Sequence, residues 1–134
     1  MNDNDTCCLG KILKVIDVLQ RNAERIDDID DSCTKPFLGS TPTTIIFNTR
    51  PVTFYTCNGN IFTASYESGD TTLTSSIFRV ERVNNCCVTC SILAPNPDTT
   101  VENSPYISTN QTIEINLDCI CAIQCLPDVI VENI

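Results

Sequence analysis

The stretch Thr112 to Leu126, TIEINLDCICAIQCL, constrains the fold more than any other part of the chain. Ile113, Ile115, Leu117, Cys119, Cys121, Ile123 and Cys125 take the odd positions, while Thr112, Glu114, Asn116 and Asp118 begin the even ones. A period of two is the signature of a strand with one buried face. At a rise of roughly 3.3 Å per residue, the side chains of Cys119 and Cys121 stand roughly 6 to 7 Å apart, too far to bridge each other. Either their partners come from elsewhere, or they have none and act as small buried hydrophobes. Strands ordinarily run roughly 3 to 10 residues, so a bend or bulge is predicted near Asp118.

A chain of 134 residues is the size of one domain and long enough to bury a core without staples. Ten of those residues are cysteine, a density close to that of small secreted disulfide scaffolds. The opening MNDNDTCCLG nevertheless starts with acids, not the basic and apolar regions of a signal peptide. No apolar run nears the roughly 18 residues of a membrane span. The sequence thus reads as cytosolic at synthesis and cysteine-rich, which is a conflict. A net charge of −9 argues against nucleic acid as a partner. The lack of histidine removes the commonest general base and the commonest metal ligand together.

Between Asp5 and Ile26, the residues Leu9, Ile12, Leu13, Val15, Ile16, Leu19, Ala23 and Ile26 recur mostly at steps of three and four, which predicts an amphipathic helix. Asp3, Asp5 or Thr6 can cap it, and Cys7 and Cys8 sit in its first turn, where the helix dipole favours thiolate. Asp27, Asp28, Asp30 and Asp31 oppose the dipole at the other end and read as linker, with Cys33 in the same hydrophilic joint. A calcium loop is the sharper alternative, but the glycine and distal glutamate of an EF-hand are missing. Residues 1–35 are thus helix plus acidic linker, and residues 36–134 a cysteine-rich β domain.

Strands are predicted at Thr43 to Asn48, Val52 to Cys57 and Ile61 to Tyr66, the last two joined as a hairpin through Asn58-Gly59. Ser68-Gly69-Asp70 marks a further turn. Ser76 to Val83 alternates, Asn84-Asn85 turns, and Cys86 to Leu93 follows as a strand with Cys86 and Cys90 inward and Cys87 outward. Pro95 to Pro105 is a polar loop. About six strands behind one helix point to a mainly β fold, an antiparallel β-sandwich-like single domain with an N-terminal amphipathic helix.

Three chemistries compete for the cysteines. Cys87-x-x-Cys90 has a zinc-like interval, but on a strand its two members face opposite ways, and the Cys119, Cys121, Cys125 spacing matches no usual zinc pairing. Thiol catalysis needs a base or a positive neighbour, and only lysine and arginine are on offer. Cross-linking between molecules needs neither: Cys7, Cys8, Cys33, Cys57 and Cys87, outward or on flexible segments, are the candidate bridge donors, with Cys86, Cys90, Cys119, Cys121 and Cys125 held inside. No catalytic, cofactor-binding or metal-ligating residue is assigned.

The segments Phe78-Arg79-Val80-Glu81, Cys86-Cys87-Val88-Thr89 with Ser91-Ile92-Leu93, and above all Leu117-Asp118-Cys119-Ile120-Cys121-Ala122-Ile123-Gln124-Cys125-Leu126 resemble the spore coat protein Z family (CotZ/CotY/ExsY-like coat and exosporium proteins of spore-forming bacteria). The resemblance spans roughly Ser76 to Leu126, with a looser likeness in the N-terminal helix. It implies a non-enzymatic structural protein that self-assembles into ring-like oligomers, hexamers, tiling into two-dimensional sheets around the spore under intermolecular disulfides. It also implies synthesis in the mother-cell cytoplasm with later oxidation, which resolves the compartment conflict. The implied partners are copies of itself and other coat proteins. The chain departs from the family pattern at Cys90, a place usually apolar, and lacks further cysteines between Pro95 and Asn110, so the cysteine pairing does not carry over. A coat adaptor that recruits another coat protein through its acidic surface, without a lattice of its own, is the alternative from a different class.

Overall fold

In the computed structural model, which describes residues 7–21 and 47–132, the steps of three and four near the N-terminus fold as helix α1, Cys8–Arg21. It turns Gly10, Leu13, Ile16 and Gln20 inward. Lys11, Lys14 and Arg21 stay exposed, with Arg21 Nε donating to Asp17 Oδ1 at 3.0 Å one turn back. The expected continuation to Ile26, the linker acids Asp27, Asp28, Asp30 and Asp31, Cys33, the boundary at residues 35 and 36, and Thr43 to Ile46 of the first expected strand lie outside the described residues. Phe47 and Asn48 are not in a strand.

The strands are β1 (Val52–Thr56), β2 (Ala64–Ser68), β3 (Thr71–Ser75), β4 (Ile77–Asn84), β5 (Cys87–Pro95), β6 (Tyr106–Asn116) and β7 (Ile120–Cys125). A five-stranded antiparallel sheet runs β6-β5-β4-β1-β7, and β2 with β3 form a separate hairpin. The fold is therefore mainly β, antiparallel and sandwich-like, with one helix at the front, as the patterning predicts. Ser68-Gly69-Asp70 makes the β2–β3 turn, Gly69 taking a positive φ of 62° that a side chain rarely adopts. The hairpin expected through Asn58-Gly59 forms only in part: Thr56 N donates to Asn60 O at 2.8 Å and Phe62 N to Phe54 O at 2.8 Å. Beyond Phe62 the chain leaves β1, because the same edge of β1 is taken over by β4, which pairs Phe78 with Val52, while β7 holds the opposite edge. Residues Ile61 to Thr63 consequently fall outside any strand, and the second strand starts later, at Ala64.

The long alternating stretch does break where a bend is expected. A 3-10 helix, Leu117–Cys119, separates β6 from β7, and Asn116 caps it by accepting from Asp118 N at 2.9 Å. These two strands form opposite edges of the sheet. From Asn116 to Ile120 the backbone reaches at most about 14 Å, whereas the outer strands of a flat five-stranded sheet lie about 19 Å apart. The sheet must curl for a single stretch to supply both edges.

Inside the curl, Phe54, Phe78, Val52, Val80, Val88, Cys90 and Ile115 pack with Leu13 and Ile16 of α1. The rings of Phe54 and Phe62 lie 5.5 Å and 5.8 Å from that of Phe78. Gln20 ties the helix down by donating to Val80 O at 2.8 Å and accepting from Arg50 N at 3.0 Å. A second, smaller core of Leu93, Val129 and Val131 lies on the other side. There the tail bridges Thr49 to Val129, and Arg50 makes a paired contact with Asp128 at 2.7 and 2.9 Å, both side chains buried. Arg79, placed outward by simple alternation, is buried as well. It donates to Thr49 Oγ1 at 2.9 Å and to both Glu81 oxygens at 2.8 Å, while Ser91 Oγ donates to Glu81 at 2.7 Å. The residues around Thr49 and Val129 cover this face, which a sequence pattern cannot foresee.

Candidate functional site

Helix α1, the turn between β4 and β5, and the 3-10 helix converge on one end of the molecule and bring five cysteines with them. Asn84 and Cys87 close the β4–β5 hairpin as paired residues. The two residues between them are Asn85, at a positive φ of 61°, and Cys86. Cys86 is disulfide-bonded to Cys7, at the entry to α1, with the Cα atoms 5.8 Å apart. The helix can lie this close because Gly10 carries no side chain: a Cβ there would fall on the carbonyl oxygen of Asn85. On the other side Leu117 N donates to Cys86 O at 2.7 Å, which brings the 3-10 helix alongside.

Three free thiols surround this bridge. Cys8 follows Cys7, Cys87 follows Cys86, and Cys119 ends the 3-10 helix; all are exposed. Cys87 points out because its neighbour Val88 points in. Cys90, three residues along β5, is a free thiol fully buried in the core. Desolvation pushes its thiol well above the usual range, and the Glu81 carboxylate adds to the shift. It is an inert packing group.

A second sulfur pair staples the start of β7. Cys57, in the turn after β1, is bonded to Cys121, with Cα atoms 4.8 Å apart. Cys125 is disulfide-bonded too. Several expectations are corrected here. Cys7 and Cys57, expected as donors to other molecules, are each joined to a cysteine of their own chain, because the helix entry and the β1 turn fold directly onto Cys86 and Cys121. Cys119 and Cys121, expected to face inward, are both exposed. The 3-10 helix rotates Cys119 out, and the register slips between Tyr55 and Thr56, leaving Cys121 as the extra residue of a bulge while Ile120 takes the buried place. Cys86 is half-buried in a turn rather than inside a strand. Cys8 and Cys87 are exposed free thiols, and Cys33 lies outside the described residues. Among the described residues no group of three or more cysteine, aspartate or glutamate side chains is placed to hold a metal ion. No helix among them is long and apolar enough to cross a membrane.

The profile of the spore coat protein Z family matches residues 1–106. The chain belongs to that family. Its match takes in α1, the β4–β5 hairpin and both Cys7 and Cys86, and it stops short of the Cys119 to Cys125 string that carries the most specific likeness. Spore coat protein Z of Bacillus subtilis (strain 168) is 28% identical over 141 residues, covering 94% of this chain and 93% of the relative. No solved structure matches the chain. Membership in the spore coat protein Z family supports a structural role in the spore coat, and the stapled, cysteine-rich β fold suits such a role.

Sequence reasoning missed the tail: Val129 and Val131 are core residues and Asp128 holds Arg50. The available signal was the short alternation Asp128-Val129-Ile130-Val131 after Pro127.

Proposed function

We propose that this chain is a non-enzymatic structural protein of the spore coat or exosporium that assembles with its own copies into two-dimensional arrays locked by intermolecular disulfides. The rings that tile into those arrays are hexamers in this reading, other coat proteins adjoin them, and the chain is made in the mother-cell cytoplasm. One observation carries the reading: Cys8, Cys87 and Cys119 stand exposed and unbridged at one end of a fold whose neighbouring cysteines are already bonded. Intrachain bridges hold the shape, and the leftover thiols are free to join molecules. Each contact between copies can be weak, since in a sheet every departure must break several at once.

The test is negative-stain microscopy of the purified protein with and without reductant, alongside non-reducing gels of the wild type and of a Cys8→Ser, Cys87→Ser, Cys119→Ser triple variant. Large arrays and a reducible ladder are expected for the wild type, and loss of the ladder for the variant. Monodisperse monomer at high concentration under air would refute the reading and favour an adaptor that stays small.

A further inference from the structure

The Cys7–Cys86 bridge lies beside an open cleft of about 400 Å³. Cys7, Lys11 and Lys14 line it from the helix side, and Val83, Asn84 and Asn85 from the hairpin side. Cys7 is only 7% exposed, so this cleft is the approach to its sulfur. Both lysine side chains are exposed at its rim, in a chain of net charge −9. A positively lined cleft in an acidic molecule draws in an anion, and the nucleophile that opens a disulfide is an anion, a thiolate.

We propose that the Cys7–Cys86 bridge is an exchange site, opened by the Cys87 thiolate of a second copy of this chain. Cys87 is suited because it sits on the same hairpin that forms the cleft wall, exposed and free. Two copies meeting face to face about a two-fold axis bring each Cys87 toward the other's cleft, so one geometry serves both directions. In each exchange Cys87 loses its proton to solvent and its sulfur lone pair bonds to Cys7 Sγ. The Cys7–Cys86 bond breaks, and its electron pair leaves on Cys86 Sγ, which takes up a proton. One disulfide and one thiol enter, and one disulfide and one thiol remain. The intrachain bridge thereby becomes an interchain bridge without any oxidant. This deepens the array reading above and rests on it: molecules oxidised singly carry the bonds that later join them.

The experiment uses the full-length protein with its intrachain disulfides formed and Cys87 still a free thiol, held under argon with a chelator at pH 8. Disulfide-linked dimer is expected on non-reducing gels, with a Cys7-to-Cys87 cross-linked peptide by mass spectrometry and an unchanged count of free thiols. Cys87→Ser, an exposed substitution that leaves the bridge in place, is expected to abolish this dimer, while Cys8→Ser and Cys119→Ser retain it. A dimer that forms only when oxidant is added, with free thiols consumed, overturns the exchange proposal and leaves the array reading standing. So does anaerobic dimer from Cys87→Ser at the wild-type rate, or its loss in Cys8→Ser or Cys119→Ser instead. Absence of arrays and cross-links under air as well would overturn both.

Discussion

Replacing Gly10 by alanine separates helix propensity from tertiary packing, because the two act in opposite directions. Inside an exposed helix the change stabilises by about 1 kcal/mol. At Gly10 the added methyl would land on the Asn85 carbonyl oxygen and stand 3.1 Å from Cys7 Sγ. The oxygen belongs to backbone, so relief requires the helix to move away from the hairpin. It cannot move freely: Leu13 and Ile16 are fully buried in the core, Gln20 is bonded to Val80 O and Arg50 N, and Cys7 is joined to Cys86 across the same gap. Overpacking in a confined site costs about 1–3 kcal/mol, and the displaced contacts of Leu13 and Ile16 add to it. The net expectation is destabilisation by about 1–2 kcal/mol. An unfolding entropy of about 2.1 cal/mol/K per residue, over 134 residues, makes that a fall in Tm of about 4–7 °C, against a rise of about 3–4 °C if propensity alone decided. Thermal unfolding by circular dichroism with disulfides intact reads the sign, and peptide mapping after oxidative refolding reads the Cys7–Cys86 yield, which is expected to drop. A Gly10→Ala protein with a higher Tm and a full yield of that bridge would refute the close approach of helix and hairpin.

Thr53→Val is expected to stabilise by about 1 kcal/mol, because Thr53 Oγ1 is buried without a hydrogen-bond partner among the described residues; a lower denaturation midpoint would contradict this. Phe78→Ala removes the ring that meets both Phe54 and Phe62 and should cost about 3–5 kcal/mol in chemical denaturation, with a loss below 1 kcal/mol placing Phe78 outside the core. Burial raises the Cys90 thiol above its ordinary 9.0, so its contribution to stability is fully present below about pH 9 and lost as the pH climbs further, since the unfolded thiol ionises and the folded one does not. Cys90→Ala should flatten that alkaline decline, and an unchanged pH slope would count against a protonated buried thiol. In the native wild type, iodoacetamide followed by peptide mapping should mark Cys8, Cys87 and Cys119 and leave Cys90 untouched.

Local periodicity was enough to give the fold class of this protein. Steps of three and four around Leu13 and Ile16 specify the helix, and alternation specifies β4, β5 and β6, because a side chain's face follows from its position along a regular backbone. The interruption near Asp118 was legible too, since so long an alternating run has to bend. The Cys-x-Cys string and its surroundings carried the family. What position along the chain could not supply was the state of each sulfur. A disulfide depends on two Cα atoms meeting within several ångströms, and residues 79 and 64 positions apart meet only after the sheet has curled and the helix has docked. The 3-10 helix and the bulge at Cys121 then reversed the expected facing of Cys119 and Cys121, as a shift of one residue does on a pleated strand. Burial of Arg79 and Arg50 likewise waited on the tail folding back over the second face of the sheet. Sequence determined which residues can face the core; tertiary structure decided which cysteines were left over, because pairing is a property of distances that only the folded chain creates.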